Sequence, residues 1–370
     1  MLNFNRTKKI FIAATYQNVG KTTFSLGLTA CLKKRFKNIG FIKPIGQRYL
    51  MNEGYKVDED SVLIEKVFGI GAHVTIKDLS PIAVERGFTE NYIQGLNTEN
   101  YKKLITRSYN RVARDNELII VEGTGHAGVG SVFDLSNASV AKLLKSKVIL
   151  IAPGGIGRPI DEVMLNKALF DMQHVEIAGV VVNKVLPEKL NKVSKLVRAG
   201  FKRKNVPVLG VMPYQKRLDI PTVREIMEEL RIPLLCGAKN LDYPVDKILV
   251  GAMEVDDALK YVTNNSLVIT PSDRIDILEG VIRLQAQSGL IRKITGVVLT
   301  GDMDVHPKIL SQLENLEIPT LSVKKDTFNV VKLINQIIVK IKPEDKDKIR
   351  LVVDMVERYV DIDAIISNLK

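Results

Sequence analysis

The chain has 370 residues, of which 45% are hydrophobic and 26% charged. This composition is typical of a folded globular protein with enough length for two domains. No run of about 18 uninterrupted apolar residues occurs, so we expect no membrane-spanning helix and no membrane partner. The two cysteines, Cys31 and Cys236, lie far apart without ligand-type spacing, which argues against a disulfide framework or a cysteine metal site.

The net charge of +12 is concentrated in the first part of the chain. Residues 1–214 hold 32 Lys and Arg against 18 Asp and Glu, whereas residues 215–370 hold 22 against 24. This asymmetry suits a first domain that handles anionic small molecules. The basic residues are not interleaved with a stripe of aromatic residues, so we expect no nucleic-acid partner.

Short apolar runs alternate with helical patterns over the first 213 residues. The apolar runs are KIFIAAT, NIGFIKPIG, ELIIVEGTG, KVILIAPGG, EIAGVVVNKV and VPVLGVMP. Near-continuous Val, Ile and Leu strands separated by helices predict an α/β fold with a parallel sheet that is covered on both faces.

The composition changes after Pro213. A junction segment, YQKRLDIPTVREIMEEL, precedes a second and smaller alternation of strands and helices, and from Asp326 onward the pattern is purely helical. We therefore predict a first α/β domain over residues 1–214, a smaller α/β domain over residues 215–325 and a helical tail over residues 326–370.

The segment IFIAATYQNVGKTTFSLGLTACL carries the strongest chemical signal. A strand enters a tight loop, Gly20 lets the backbone approach a phosphate, and a helix predicted over Thr22–Lys33 turns its free N–H groups toward it. Lys21 is expected to neutralise phosphate charge and the Thr22 hydroxyl to bind Mg²⁺. A standard Walker A motif has glycine at position 15, where this chain has Thr15.

The position of the phosphate loop near the N-terminus also bears on the cellular compartment of the protein. The apolar N-terminal run leads directly into the phosphate loop, and cleavage of a signal peptide would destroy that loop. We therefore expect a cytoplasmic protein.

An acidic residue at the end of a parallel strand faces the ligand crevice of an open α/β sheet. Glu122 ends the apolar run ELIIVE, so we expect it to reach the metal, with a helix-capping carboxylate as the alternative. His126 in the following loop is either a ligand contact or an exposed histidine.

Two further segments carry charged candidates. Lys43 lies at the tip of a short apolar strand and can balance the charge of a phosphate or carboxylate. Asp58, Glu59 and Asp60 precede a predicted helix, where they either supply a second Mg²⁺ ligand or favour the helix N-terminus. The sequence leaves open whether Asp58 or Asp60 is the metal ligand.

These segments, in this order, resemble the dethiobiotin synthetase family over about residues 8–214. The family loop Gly-Thr-x-x-x-Val-Gly-Lys-Thr matches the loop here in length, with Ala14 in place of its first glycine. The Lys-Pro strand end of the family falls on Lys43-Pro44, its metal aspartate on Asp60, its metal glutamate on Glu122 and its adenine-contacting asparagine on Asn183. Its Gly-x-Ile-Pro stretch is similar to Gly210–Pro213.

The resemblance implies an ATP and Mg²⁺ site. Catalytic roles would fall on Lys21 and Lys43, and metal ligation on Thr22, Asp60 and Glu122. The implied nucleotide contacts are Thr15, Asn18, Val19, Gly20, Lys21, Thr22, Thr23, Asn183 and Pro213. Because the synthetases of this family are dimers, the resemblance also implies a homodimer.

The second half resembles a DRTGG domain, a small α/β module related in shape to paired CBS domains. The matching features are LVITPSDRIDILEGVI and GVVLTGDMDVHPKIL, in which the Thr-Gly-Gly of the family becomes Thr300-Gly301-Asp302. A synthetase-like domain followed by a DRTGG domain resembles the N-terminal half of the long bacterial phosphotransacetylases, and we expect a stand-alone version of that half.

Two functions follow from these resemblances. The first is a nucleotide-responsive regulator, whose DRTGG domain associates with a partner or senses a metabolite such as a small carboxylate. The second is an ATP-dependent ligase, of the dethiobiotin synthetase or cobyrinate amidoligase type, that phosphorylates a carboxylate or carbamate. A ParA-like ATPase is a third alternative, but Tyr16 stands where that class usually has a second lysine.

Overall fold

The computed structural model describes residues 7–71, 74–97, 99–288, 291, 293–301 and 305–369. The strands are β1 Lys8–Ala14, β2 Ile39–Ile42, β3 Ile45–Gly46, β4 Tyr49–Asn52, β5 Tyr55–Asp58, β6 Ile82–Ala83, β7 Leu118–Glu122, β8 Lys147–Pro153, β9 Ile177–Val185, β10 Val208–Pro213, β11 Leu234–Cys236, β12 Lys247–Val250, β13 Ser266–Pro271, β14 Ile294–Thr300 and β15 Thr320–Val323.

The α-helices cover the sheets and the C-terminal region. They are α1 Lys21–Lys33, α2 Glu59–Phe68, α3 Ile76–Leu79, α4 Phe88–Ile93, α5 Tyr101–Ala113, α6 Asn137–Leu143, α7 Gly157–Met172, α8 Leu190–Lys202, α9 Val223–Leu230, α10 Val255–Leu259, α11 Ile275–Gln287, α12 Pro307–Asn315, α13 Thr327–Asn335, α14 Lys346–Tyr359 and α15 Ile362–Ser367. No helix in the described part of the chain is long and apolar enough to cross a membrane.

The chain divides into two compact units, the first formed by Met1–Gln215 with Ile341–Lys370 and the second by Lys216–Lys340. The first unit contains a six-stranded parallel sheet in the order β10-β9-β8-β1-β7-β2. Its central strands are buried on both faces, as a parallel sheet between helical layers requires. The predicted α/β fold with a covered parallel sheet is confirmed.

The strand order of this sheet creates a crevice beside β1. The chain passes from β1 through α1 to β2, and β7 later enters between these two strands, while β8 pairs with β1 on its other side. Ligands of open α/β sheets bind outside the carboxyl ends of strands where the order reverses in this way. The ends of β1, β7 and β8 therefore define the crevice of the first unit.

The second unit has a five-stranded sheet in the order β11-β15-β14-β13-β12. Strands β12 to β15 are parallel, and the edge strand β11 is antiparallel to β15. Apolar clusters cover both faces of this sheet, one around Val268, Val297 and Leu299 and the other around Leu267, Ile269 and Val298. Successive residues of each strand thus point to opposite cores.

The helical segment predicted as one tail from Asp326 is instead shared by the two units. Helix α13 contributes Val330 and Ile334 to an apolar cluster of the second unit. Helix α14 packs on α1 in the first unit, where Gly27 lies so close to Val356 that a Cβ on the glycine would be 2.4 Å from a Val356 methyl group. The tail is divided because each helix buries its apolar stripe against a different partner.

Candidate functional site

The phosphate loop connects the end of β1 to the start of α1. Gly20 caps α1 with a left-handed backbone (φ 94°), and Asn18 also has positive φ. A Cβ on Gly20 would lie 2.3 Å from the Asn183 amide nitrogen, so the position has room only for glycine. The helix begins at Lys21, one residue earlier than predicted, because Gly20 completes the turn that starts it.

The first turn of α1 is open to an anion. It contains no acidic residue, and its N-cap, Gly20, has no side chain to accept from the first amide groups, so these groups point out of the helix end. Lys21, Thr22 and Thr23 are half-buried in this turn, and Val19 is buried behind it. A helix end of this kind favours phosphate or carboxylate groups.

Asn183 and Pro213 lie on neighbouring strands of the same sheet edge. The Asn183 amide donates a hydrogen bond to the Val19 carbonyl over 2.9 Å and thereby holds the second half of the phosphate loop. Pro213 ends β10, which pairs with the end of β9. The predicted contacts of both residues with a nucleotide stay predictions.

Lys43 lies at the centre of a buried group of acidic side chains. Its ammonium is 3.0 Å from Oδ1 of Asp58 and 3.5 Å from Oε1 of Glu122, and it also contacts Asp60. All four side chains are buried. Burial opposes the charge of Lys43, but Asp60, Asp58 and Glu122 outweigh it and raise the pKa of Lys43 well above its usual value.

The two aspartates reach Lys43 from the junction of β5 and α2. Asp58 caps α2, and its Oδ1 accepts a hydrogen bond from the Asp60 amide over 3.0 Å. Burial raises the pKa of Asp58, whereas Lys43 lowers it. Asp58 thus caps the helix, as one of the two alternatives for this segment has it. The other alternative, a second Mg²⁺ ligand, stays a prediction.

Glu122 joins this group to the phosphate loop. The Thr22 hydroxyl donates to Oε1 of Glu122 over 3.2 Å. Burial raises the pKa of Glu122 to about 7, although Lys43 pulls it in the opposite direction. Oε2 of Glu122 is buried and has no hydrogen bond of normal geometry among the described residues, but the buried Ser25 hydroxyl, which also has none, is close enough to lower the pKa of Glu122. A buried oxygen of this kind costs free energy unless a donor or a cation completes it.

Among the described residues, no three His, Cys, Asp or Glu side chains form a group that could hold a metal ion. In nucleotide sites, however, Mg²⁺ is usually held by one or two carboxylates together with phosphates and water. The Thr22 hydroxyl, the Glu122 carboxylate and the Asp60 carboxylate are oxygen donors of the kind that this ion accepts. The donor set therefore fits a hydrated Mg²⁺.

Side chains of helix α7 form hydrogen bonds with the start of the phosphate loop. The Thr15 hydroxyl donates to Glu162 over 2.6 Å, and the Asn166 amide donates to the Thr15 carbonyl over 3.2 Å. The Asn166 carbonyl oxygen also accepts from the Ala127 amide over 2.8 Å. The sequence analysis missed Glu162 and Asn166, because polar residues four apart on a helix ordinarily indicate a solvent-exposed face.

The loop that follows Glu122 is held by internal hydrogen bonds. The Asn137 amide donates to the carbonyls of Thr124 and His126, each over 2.7 Å. His126 is exposed, and its Nδ1 accepts from the Gly128 amide over 3.2 Å. The alternative that His126 contacts a ligand stays a prediction.

In the second unit, Arg274 of the Asp-Arg-Ile-Asp run has a structural role. Its guanidinium donates to the carbonyls of Gly251 and Met253 and pairs with Asp276 over 2.7 Å. Thr300 shares a hydrogen bond of 2.7 Å with Thr327. Asp302, which the sequence analysis singled out, lies outside the described residues.

Comparison with known proteins agrees with this two-part organisation. A family model described as an AAA domain, AAA_26, matches residues 8–222, and a DRTGG domain model matches residues 225–337. These matches confirm the predicted resemblance to a P-loop domain fused to a DRTGG domain.

Curated relatives match nearly the whole chain. A protein named phosphate acetyltransferase from Nitratidesulfovibrio vulgaris is 25% identical over 98% of this chain and 52% of its own length. A protein of the same name from Pseudomonas putida is 29% identical over 95% of this chain and 50% of its own length. One from Synechocystis sp. is 26% identical over 98% and 52%. The chain thus spans about half the length of the curated relatives it matches.

Proposed function

The chain belongs to the AAA_26 family of AAA domains and carries a DRTGG domain after it, and on this premise we propose that it is a nucleotide-responsive regulator. Its first unit binds Mg²⁺-ATP at the phosphate loop. The observation that carries the proposal is the start of α1, which has a glycine N-cap and no acidic residue and whose Thr22 hydroxyl contacts the buried Glu122 carboxylate.

The roles of the side chains follow from their chemistry. Lys21 and the amides of the first helix turn bind the phosphates, and Thr15, Asn18, Val19, Gly20, Thr23, Asn183 and Pro213 shape the nucleotide site. Thr22, Asp60 and Glu122 hold Mg²⁺, which when bound neutralises phosphate charge. Lys43, already surrounded by carboxylates, supplies a further cation beside the phosphates.

The regulatory half of the proposal rests on the second unit and on the relatives. The part of each phosphate acetyltransferase that matches this chain is about half of that protein. We assign this shared part a controlling role. In this role the chain forms a homodimer, and binding of nucleotide changes how its two subunits associate. The DRTGG unit would take a small carboxylate or another metabolite.

Calorimetric titration of the full chain with Mg²⁺-ATP and Mg²⁺-ADP tests the proposal. We expect binding in the micromolar range, lost in Lys21→Ala and retained in Lys33→Ala, whose lysine lies at the other end of the same helix and donates to the Phe68 carbonyl. Absence of nucleotide binding by the unaltered chain would overturn the proposal.

ATP turnover measured with acetate, bicarbonate or diaminopelargonate separates the regulator from a ligase. A regulator shows no dependence of ADP release on any acceptor. ADP release that requires an acceptor and disappears in Lys43→Ala would instead establish phosphoryl transfer to a carboxylate or carbamate.

A further inference from the structure

Helix α5 exposes only cations. Every residue between positions 101 and 114 that is exposed to solvent is a lysine or an arginine, namely Lys102, Lys103, Arg107, Arg111 and Arg114. Its other face is buried through Ile105 and Val112, which belong to the main apolar cluster of the first unit. Exposed helix faces usually carry both signs of charge, so a face of one sign needs a physical reason.

The arrangement of these cations is unfavourable for the helix itself. Lys103, Arg107 and Arg111 follow one another at intervals of four residues, and like charges at this spacing destabilise a helix. The buried Asp78 carboxylate lies 3.1 Å from the Arg111 guanidinium and offsets its charge. Within the described part of the chain, Lys102, Lys103, Arg107 and Arg114 have no carboxylate at ion-pair distance.

The cations line a groove rather than a convex surface. The groove has a volume of about 570 Å³ and is open to solvent. Besides the five cations, its lining contains neutral polar side chains from α5 and its N-cap, and Leu143 at the end of α6. Among the residues that the structure describes, this lining includes no acidic or aromatic side chain.

The dimensions of the row favour one kind of anion. Four residues of an α-helix rise about 6 Å, so the cations from Lys103 to Arg114 extend over about 16 Å. Such a row cannot converge on a single phosphate or small carboxylate. A second helix laid along α5 has the same repeat, so Asp or Glu residues four apart on it would meet the cations in register.

Other polyanions fit the groove less well. Single-stranded nucleic acids bind by stacking on aromatic side chains, and the lining has none. A helix that lies on an anionic membrane needs an apolar face toward the lipid, whereas α5 turns its apolar face into the core. We propose that the groove along α5 docks an acidic amphipathic helix of a partner protein, with an aliphatic residue of that helix against Leu143.

Fluorescence anisotropy with the full chain tests this proposal. The probe is a labelled helix-forming peptide of about 20 residues with Glu at every fourth position, and the reference peptide has Gln at the same positions. We expect the Glu peptide to bind and the Gln peptide not to bind. The double substitution K103E/R107E is expected to weaken binding at least about tenfold.

Helix α8 offers a matched control. Lys192 and Lys195 are exposed on this helix of the same unit, and K192E/K195E changes the net charge by the same amount. We expect this variant to bind the Glu peptide within about twofold of the unaltered chain. Equal weakening by both double variants would overturn the proposal, because it would indicate only general attraction to a basic protein.

Two further arms identify the occupant and exclude misfolding. Duplex DNA or phosphatidylserine vesicles that bind α5 more tightly than the Glu peptide would overturn the assignment to a protein partner. Circular dichroism checks that K103E/R107E is folded, and K103Q/R107Q repeats the test without charge reversal. A peptide with Lys at the same positions should bind K103E/R107E more tightly than it binds the unaltered chain, and equal binding to both would count against direct contact.

Discussion

The Lys43 ammonium lies 3.0 Å from the Asp58 carboxylate, and both side chains are buried. A buried ion pair is costly to break from one side, because the remaining charge has neither water nor a counter-ion. Here one lysine serves three carboxylates, since Asp60 and Glu122 also face it. The lysine therefore balances the same negative charge that would attract a metal ion.

Replacing Lys43 with methionine should destabilise the first unit and increase its response to Mg²⁺. We expect the free energy of unfolding to fall by about 3–5 kcal/mol, and millimolar Mg²⁺ to restore part of the loss because the cation replaces the ammonium. Urea unfolding with and without Mg²⁺ measures both effects. Lys56→Met is the control, since Lys56 pairs with Glu85 at the surface. A Mg²⁺ effect no larger in Lys43→Met than in the unaltered chain would contradict this interpretation of the cluster.

Gly20→Ala should abolish nucleotide binding. An alanine there has a left-handed backbone and a methyl group that overlaps the Asn183 amide, which holds the Val19 carbonyl. We expect affinity to fall at least about a hundredfold. Gly54→Ala separates the effect of the left-handed backbone from that of the methyl overlap. Gly54 also has positive φ (80°), but no atom lies within 4 Å of its added methyl group. That control should cost about 1 kcal/mol of stability and leave binding unchanged. Comparable nucleotide affinity in the two variants would disprove the steric explanation.

Asn166→Ala should weaken both the phosphate loop and nucleotide binding. The substitution removes hydrogen bonds to the Thr15 carbonyl, the Ala127 amide and the Glu162 carbonyl. Because the Thr15 carbonyl and the Ala127 amide then lose the Asn166 side chain as a hydrogen-bond partner, we expect the free energy of unfolding to fall by about 1–3 kcal/mol. Calorimetry should show about tenfold weaker binding of Mg²⁺-ATP. Lys167→Ala, one residue along the same helix, removes a partly exposed ion pair with Asp171 and should leave the affinity unchanged.

The sequence predicted the sheet and the elements of the site because both follow from local patterns. Lys43 follows β2, and Glu122 ends β7, as the apolar runs indicated. Hydrogen bonds across long sequence separations were not predictable in this way. Thr15 and Glu162 are 147 residues apart, and only the pairing of β1 with β8 brings α7 beside the phosphate loop. The roles of the site residues stay predictions that the nucleotide experiments must test.

The hairpin between β4 and β5 was also missed. Its first strand, Tyr49–Asn52, is largely exposed on both faces, so it lacks the alternation of apolar and polar residues by which a half-buried strand is recognised. The helices of the C-terminal region were predicted as helices, but an amphipathic pattern does not identify the surface on which a helix packs. Their division between the two units therefore required the structure.

Val356→Ala tests the packing of α14 on α1. Val356 is fully buried, and its methyl groups fill the space left by Gly27. We expect a loss of about 2 kcal/mol in the free energy of unfolding of the first unit, from lost apolar burial and the cavity left behind. Val353→Ala is the control on the same helix, because Val353 is only partly buried. Equal losses in the two variants would contradict the packing of Val356 against Gly27.

Tyr109 should make the first unit sensitive to high pH. Burial raises its pKa from 10.0 to about 12, because the phenolate would lose its water shell in the core. Between these two values the unfolded chain releases the proton while the folded chain keeps it, so the free energy of unfolding falls as the pH rises above 10. We expect the contribution of Tyr109 to this fall to reach about 1 kcal/mol at pH 11 and to be absent in Tyr109→Phe. Urea unfolding of both proteins at pH 8 and pH 11 measures the difference. A loss of stability in Tyr109→Phe as large as in the unaltered chain would mean that other groups carry the alkaline transition.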